Sequence, residues 1–190
     1  MSFATRKAWE TWLESYHATS PGVWLELAKV GGRAGAGTGV KSVTRSDALE
    51  VALCYGWIDG QAKGVDTVSW LQKFTPRGPR SIWSKINREK VEALIKSGAM
   101  RPAGLAAIET AKQNGRWDAA YAGPRTAEVP SDLQAALDRR AKAALFFKTL
   151  SSRNRYAILF RIHNVKKAET RARRIEQFVR MLERHETIYP

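Results

Sequence analysis

Two stretches hold the residues whose types and spacing could do chemistry: Cys54-Tyr-Gly-Trp-Ile-Asp-Gly-Gln61 and Thr75-Pro-Arg-Gly-Pro-Arg-Ser-Ile-Trp-Ser-Lys-Ile-Asn-Arg88. If the first runs on as a strand, Trp57, Asp59 and Gln61 share one face and Ile58 points away, because side chains alternate along an extended chain. The run Ser69–Thr75 then sets either Trp70, Gln72 and Phe74 or Leu71, Lys73 and Thr75 opposite them. An aromatic floor on which a carboxylate and an amide converge is what a pocket for a small aromatic or peptide-like ligand requires. Arg77, Trp83 and Asn87 of the second stretch extend the set. The candidate ligand-binding residues are therefore Trp57, Asp59, Gln61, Arg77, Trp83 and Asn87. The competing reading is structural: Trp57 sits in the core, and Asp59-Gly60 form a bulge or turn whose carboxylate accepts backbone N–H groups.

A second chemistry is suggested by charge. The net charge is +14, and from Arg139 to Pro190 fourteen Lys or Arg face four Glu and no Asp. Arg80, Lys85 and Arg88 surround Trp83, and basic groups interleaved with an aromatic suit phosphate and base contact. Farther on, Arg153 to Arg174 reads as helix, short connection, helix, which puts Arg171, Arg173 and Arg174 at the start of a last helix that also carries Arg180. That is the setting of a helix-turn-helix. The alternative function is thus a nucleic-acid-associated protein, whose affinity would fall steeply with salt. A basic face that is only solvated has the same composition.

Catalytic constellations are harder to assemble. His17, His163 and His185 are far apart, and His163 falls on the apolar face of its helix, as a core histidine does. No H-E-x-x-H or G-x-S-x-G spacing occurs. Cys54 is the only cysteine, which excludes an internal disulfide and a cysteine-rich zinc site. Asp59 is the one acid that could carry chemistry, and an enzyme acting through it lacks a second group. The expectation is a non-enzymatic binding protein with no cofactor and no metal. The glycines of residues 31–40 precede Lys41 as in a phosphate loop, but Val40 stands where a Walker loop needs glycine. Glycines at 35, 37 and 39 do not match G-x-G-x-x-G either, so this is read as a flexible loop.

These residues need elements to position them. Trp9, Trp12, Leu13 and Tyr16 have helical spacing over 6–16. Pro21-Gly22 introduces a strand to Lys29, and 42–55 reads as a helix capped by Thr44 or Ser46. Strands at 57–63 and 67–76 join through Gly64-Val-Asp, and helices follow at 87–96 and from Pro102 to near Gly115. After Gly123–Pro130, helices begin at Ser131, Ala143, Ser152 and Thr170; the second presents Leu145, Phe146 and Phe147. The fold class is α+β: a small antiparallel sheet of about three strands packed with helices, followed by a C-terminal helical module. The expected division is a body at 1–122, a linker at 123–130 and the module at 131–190.

With 44% apolar residues and seven tryptophans the chain can bury a core. No run reaches 18 apolar residues and no secretory h-region opens the sequence, so a cytoplasmic protein without a membrane span is expected. Oligomeric state is not readable.

Three blocks carry a family likeness: "ALCYGWIDGQ", "FTPRGPRSIWSKINREKVEALIKSGAMRPAGLAAIETAKQNGRWDAAY" and "FFKTLSSRNRYAILFRIHNVKKAETRARRIEQFVRMLERHE". Together they resemble the YdeI/OmpD-associated family, whose members are labelled bacteriocin-protection proteins, over about Trp9 to Glu186. The glycine stretch departs from the short polar loop, often with lysine, expected there. The resemblance implies a role in stress or in protection against bacteriocins and other antimicrobials. It implies no reaction, cofactor or catalytic residue. By the same likeness Trp57, Asp59, Gly60, Gln61, Thr75, Pro76, Arg77, Trp83, Ser84 and Asn87 match the family's central block, and the last helices form a packing or interaction element.

Overall fold

Several helices start where a short polar side chain accepts an otherwise unpaired N–H group. Thr5 accepts from Ala8 at 3.1 Å to begin α1 (Arg6–Tyr16), and Thr44 accepts from Asp47 at 3.1 Å to begin α2 (Arg45–Cys54). Of the two expected caps for α2, Thr44 is the one used. Ser84 does the same for α3 (Lys85–Lys96), while Pro102 opens α4 (Pro102–Gln113) at a position where no N–H is needed. The computed structural model describes residues 1–29 and 41–190, so the glycine stretch 31–40 lies outside the described residues.

Three strands, β1 (Val23–Ala28), β2 (Trp57–Gly64) and β3 (Ser69–Pro76), form an antiparallel sheet in the order β1-β3-β2. β3 starts two residues later than its pattern suggested because Asp66 accepts from the N–H groups of Val68 and Ser69 at 2.8 and 2.7 Å, which makes a turn of the preceding residues. Val23 pairs with Phe74 and Leu25 with Gln72, so Val23, Leu25, Leu27, Gln72 and Phe74 line one buried face. Asp59 lies opposite Phe74 and Trp57 opposite Pro76, which puts both on that same face.

Helices α1 and α2 account for that burial. Trp9 meets Phe74 with ring centroids 5.6 Å apart, Trp12 meets Trp57 edge-on at 5.9 Å, and the Trp9 indole donates to the Ala48 carbonyl at 3.0 Å. The joint between α2 and β2 is Gly56, at φ +72°, where a side chain would be strained and would also meet the Ala103 carbonyl at 2.8 Å. α4 in turn approaches α2 through Gly104, whose missing side chain leaves room for the Cys54 carbonyl.

The chain divides into two compact units, Met1–Ala120 and Tyr121–Pro190, each with its own core. The second holds α5 (Ser131–Asp138), α6 (Ala141–Thr149), α7 (Ser152–His163) and α8 (Ala168–Glu183). Leu133, Leu137, Phe147, Ile158, Ile162, Phe178 and Leu182 fill its interior. Two expectations fail here. His163 is exposed, because Ile158, Leu159 and Ile162 set the buried face of α7 and residue 163 rotates past it. Leu145 is 66% exposed, because α6 buries Ala143 and Phe147. No helix among the described residues is long and apolar enough to cross a membrane.

Candidate functional site

The proposed ligand floor of the first stretch lies on the helix-covered face of the sheet. Trp57 is 1% exposed and donates its indole N–H to the His17 carbonyl at 3.1 Å. Asp59 is gripped by Arg45, Nη2 to Oδ2 at 2.6 Å. The β2–β3 register slips between Asp59 and Ala62, and the buried Gln72 amide fills the gap by donating to the carbonyls of Gly60 and Gln61 at 3.0 and 3.1 Å. Gln61 itself is exposed. A bulge that consumes the alternation breaks the shared face on which the three side chains were aligned.

Arg77 and Trp83 do come together. The Arg77 guanidinium lies 3.7 Å from the centroid of the Trp83 ring, and its Nη1 donates to the Ile82 carbonyl at 3.2 Å. Trp83 is 2% exposed and packs edge-on against Trp117 at 5.0 Å. Beside them is a cavity of about 210 Å³ lined by Arg77, Gly78, Pro79, Ser81, Trp83 and Thr110. That is below the roughly 300–1,000 Å³ of ordinary ligand pockets. Asn87 is half-buried, and its backbone N–H is spent on the Ser84 cap.

The basic candidates are divided. Arg80 and Lys85 are exposed. Arg88 donates to the Trp117 carbonyl at 2.8 Å and stacks on that ring at 4.9 Å, so it braces the first core. Arg171 is bound to Asp132 through Nε at 2.6 Å and donates to the Ile162 carbonyl at 2.8 Å. Arg180 pairs with Glu176 at 2.7 Å, one turn away on α8. Arg173 is exposed and Arg174 half-buried. Guanidinium groups already held by carboxylates and carbonyls release fewer counterions to a phosphate backbone than their number suggests.

The larger concavity lies in the second unit and was missed as a site. It is about 600 Å³ and is lined by Pro124, Arg153, Tyr156, Phe160, Arg161 and Tyr189. Positions 153, 156, 157, 160 and 161 recur at the three- and four-residue spacing of one helical face. The visible signal was therefore a half-apolar stripe on α7 with arginine at both ends. Tyr121 meets Phe160 edge-on at 4.9 Å, and the Tyr156 hydroxyl donates to the Ala122 carbonyl at 3.1 Å, so these rings are fixed from behind. Burial raises the Tyr156 phenol above its usual range. Arg161 donates to the Ala157 carbonyl at 3.1 Å and reaches the Tyr189 hydroxyl at 3.5 Å; that hydrogen bond lowers the Tyr189 phenol. Arg153 lies 4.2 Å from the Tyr189 ring. Such a surface offers apolar walls to a ring or aliphatic body and two guanidinium groups to an anion, with the planar donor geometry that suits carboxylate.

Two family models match the chain. Residues 1–107 match the one described as a domain of unknown function (DUF8412), and residues 126–185 match the one described as bacteriocin-protection, YdeI or OmpD-associated (OmdA). The YdeI/OmpD-associated resemblance therefore holds over the second unit, whereas Trp57 and Trp83 fall within the first match. Of the groove residues, Arg153, Tyr156, Phe160 and Arg161 lie inside the second match. No curated protein and no solved structure matches the chain.

Proposed function

Since this chain belongs to the family described as a domain of unknown function (DUF8412) and carries a YdeI/OmpD-associated segment behind it, we propose that it is a binding protein of the bacteriocin- or antimicrobial-protection type. The ligand has an aromatic or apolar body and an anionic group. It occupies the α7 groove, where Tyr156 and Phe160 receive the body and Arg153 and Arg161 the charge. The single observation that supports this reading is the coincidence of a concavity of about 600 Å³ with two guanidinium groups at its rim. Its volume falls in the range that admits a small ligand or a few residues of peptide. The protein acts by sequestration and performs no bond-breaking step.

The test uses N-acetyl-phenylalanine and its C-terminal amide, titrated into the full chain while backbone amide shifts are followed. At roughly −0.3 kcal/mol per non-hydrogen atom the carboxylate has a Kd on the order of 0.5 mM. The amide binds several-fold more weakly, and Phe160→Ala and Arg153→Ala each weaken the carboxylate. Equal affinity for both probes, or shifts confined to residues outside α7, would refute the proposal.

A further inference from the structure

The segment after α8 folds back on the groove in a specific way. His185 takes a left-handed conformation at φ 58° and reverses the chain. Tyr189 is then held by one buried side chain, Asn154, which is 7% exposed. The Asn154 Oδ1 accepts from the N–H groups of Ile188 and Tyr189 at 3.1 and 2.9 Å. Its Nδ2 donates to the Tyr189 carbonyl at 3.0 Å. A single amide thus reads both the donor and the acceptor of Tyr189, in a bent segment where the Tyr189 carbonyl also accepts from the Thr187 hydroxyl at 2.9 Å. The Tyr189 ring meanwhile lies against Arg153 at 4.2 Å and within 5.7 Å of Arg161.

Resting on the groove reading above, we infer that Asn154, Arg153 and Arg161 form a recognition site for a peptide segment that carries an aromatic residue next to a carboxylate, and that residues 188–189 are its exchangeable resident. Apart from a contact to the Ser151 hydroxyl at 3.4 Å, the bonds of the Asn154 amide go to backbone, so it selects a backbone conformation without selecting a sequence. Selection falls to the arginines, which accept any aromatic ring by cation–π contact and bind an anion more strongly than they bind a neutral phenol. Tyr189 supplies the ring without a neighbouring acid side chain, since Ile188 and Pro190 flank it. An incoming aromatic–acidic pair satisfies the same amide and adds the missing charge. The resident has the advantage of tethering: a short linker gives it an effective concentration on the order of millimolar. Apparent affinity for a competitor falls by the fraction of molecules whose site is open.

The probe is a fluorescein-labelled peptide Thr-Ile-Tyr-Glu with a free carboxyl end, followed by anisotropy. It is titrated into the full chain and into the double variant Ile188→Gly, Tyr189→Gly. Removal of the resident raises affinity at least tenfold. Adding Asn154→Asp to the double variant abolishes that gain, because the donor to the peptide carbonyl is lost. The same change keeps α7 intact, since an acid in the first turn of a helix is favourable there. Equal affinity for the wild-type and double-variant chains overturns the resident. Undiminished peptide binding by the Asn154→Asp variant, or no peptide binding where N-acetyl-phenylalanine still binds the groove, overturns backbone reading and leaves the groove standing. If neither probe binds, both readings fall. A concentration-dependent dimer that disappears with Tyr189→Gly would make a second copy the occupant and overturn the external peptide.

Discussion

Arg171 holds both carboxylate oxygens of Asp132, Nε to Oδ2 at 2.6 Å and Nη2 to Oδ1 at 3.0 Å, while its third nitrogen donates to the Ile162 carbonyl at the end of α7. One side chain on the first turn of α8 therefore ties together three helices of the second unit. This is a packing role for a residue whose composition suggested a phosphate contact.

The Asp132 carboxyl is lowered from its ordinary value of 3.8, chiefly by the hydrogen bond from Arg171. A lowered folded-state value means the pair's stabilisation is complete above pH 3.8 and is lost as pH falls through the lowered value. Asp132 is 44% exposed, so solvent screening keeps the ionic share small. Arg171→Ala costs about 1 kcal/mol, mostly through the Ile162 carbonyl and lost packing. Asp132→Asn flattens the acid limb of a plot of urea midpoint against pH; an unchanged limb would show that the pair contributes nothing.

Gly104→Ala places a methyl group against the Cys54 carbonyl, where α4 crosses α2. Overpacking of that kind costs about 1–3 kcal/mol. Gly56→Ala adds left-handed strain of roughly 1 kcal/mol to a clash with Ala103. Chemical denaturation of both variants measures the losses, and either variant matching wild-type stability would mean that the backbones separate without cost.

Trp57→Phe removes the indole N–H that the His17 carbonyl accepts and leaves a small void beside Trp12. The expected loss is about 1–3 kcal/mol of stability. Probe affinity is unchanged, because Trp57 is interior. A variant of native stability that loses ligand binding would restore Trp57 to the site.

Duplex DNA binding is expected to be weak and only mildly salt-dependent. With Arg171, Arg180 and Arg184 engaged by Asp132, Glu176 and Glu186, roughly two or three phosphates are neutralised by the last helix. The slope of log K against log salt is then about −2 to −3 between about 50 and 200 mM. An anisotropy series with a slope near −6 would make the basic face a nucleic-acid surface.

Local pattern was enough to establish the elements. Apolar spacing marks the helices, short polar caps start α1, α2, α3 and α7, and β-branched and aromatic runs mark three strands; these signals act over a few residues and together give α+β. The family likeness was legible too, in the block from Phe146 to Glu186, most of which lies inside the YdeI/OmpD-associated match. Which side of a strand is covered cannot be read locally. Trp57 and Asp59 look alike as pocket or core until α1 and α2 are seen on their face and the bulge is seen to break the register. The groove was hidden for the same reason. Tyr189 and Arg153 stand 36 positions apart, and hydrogen bonds of the buried Asn154, next to Arg153 in sequence but paired with Tyr189 only in the fold, are what bring them together.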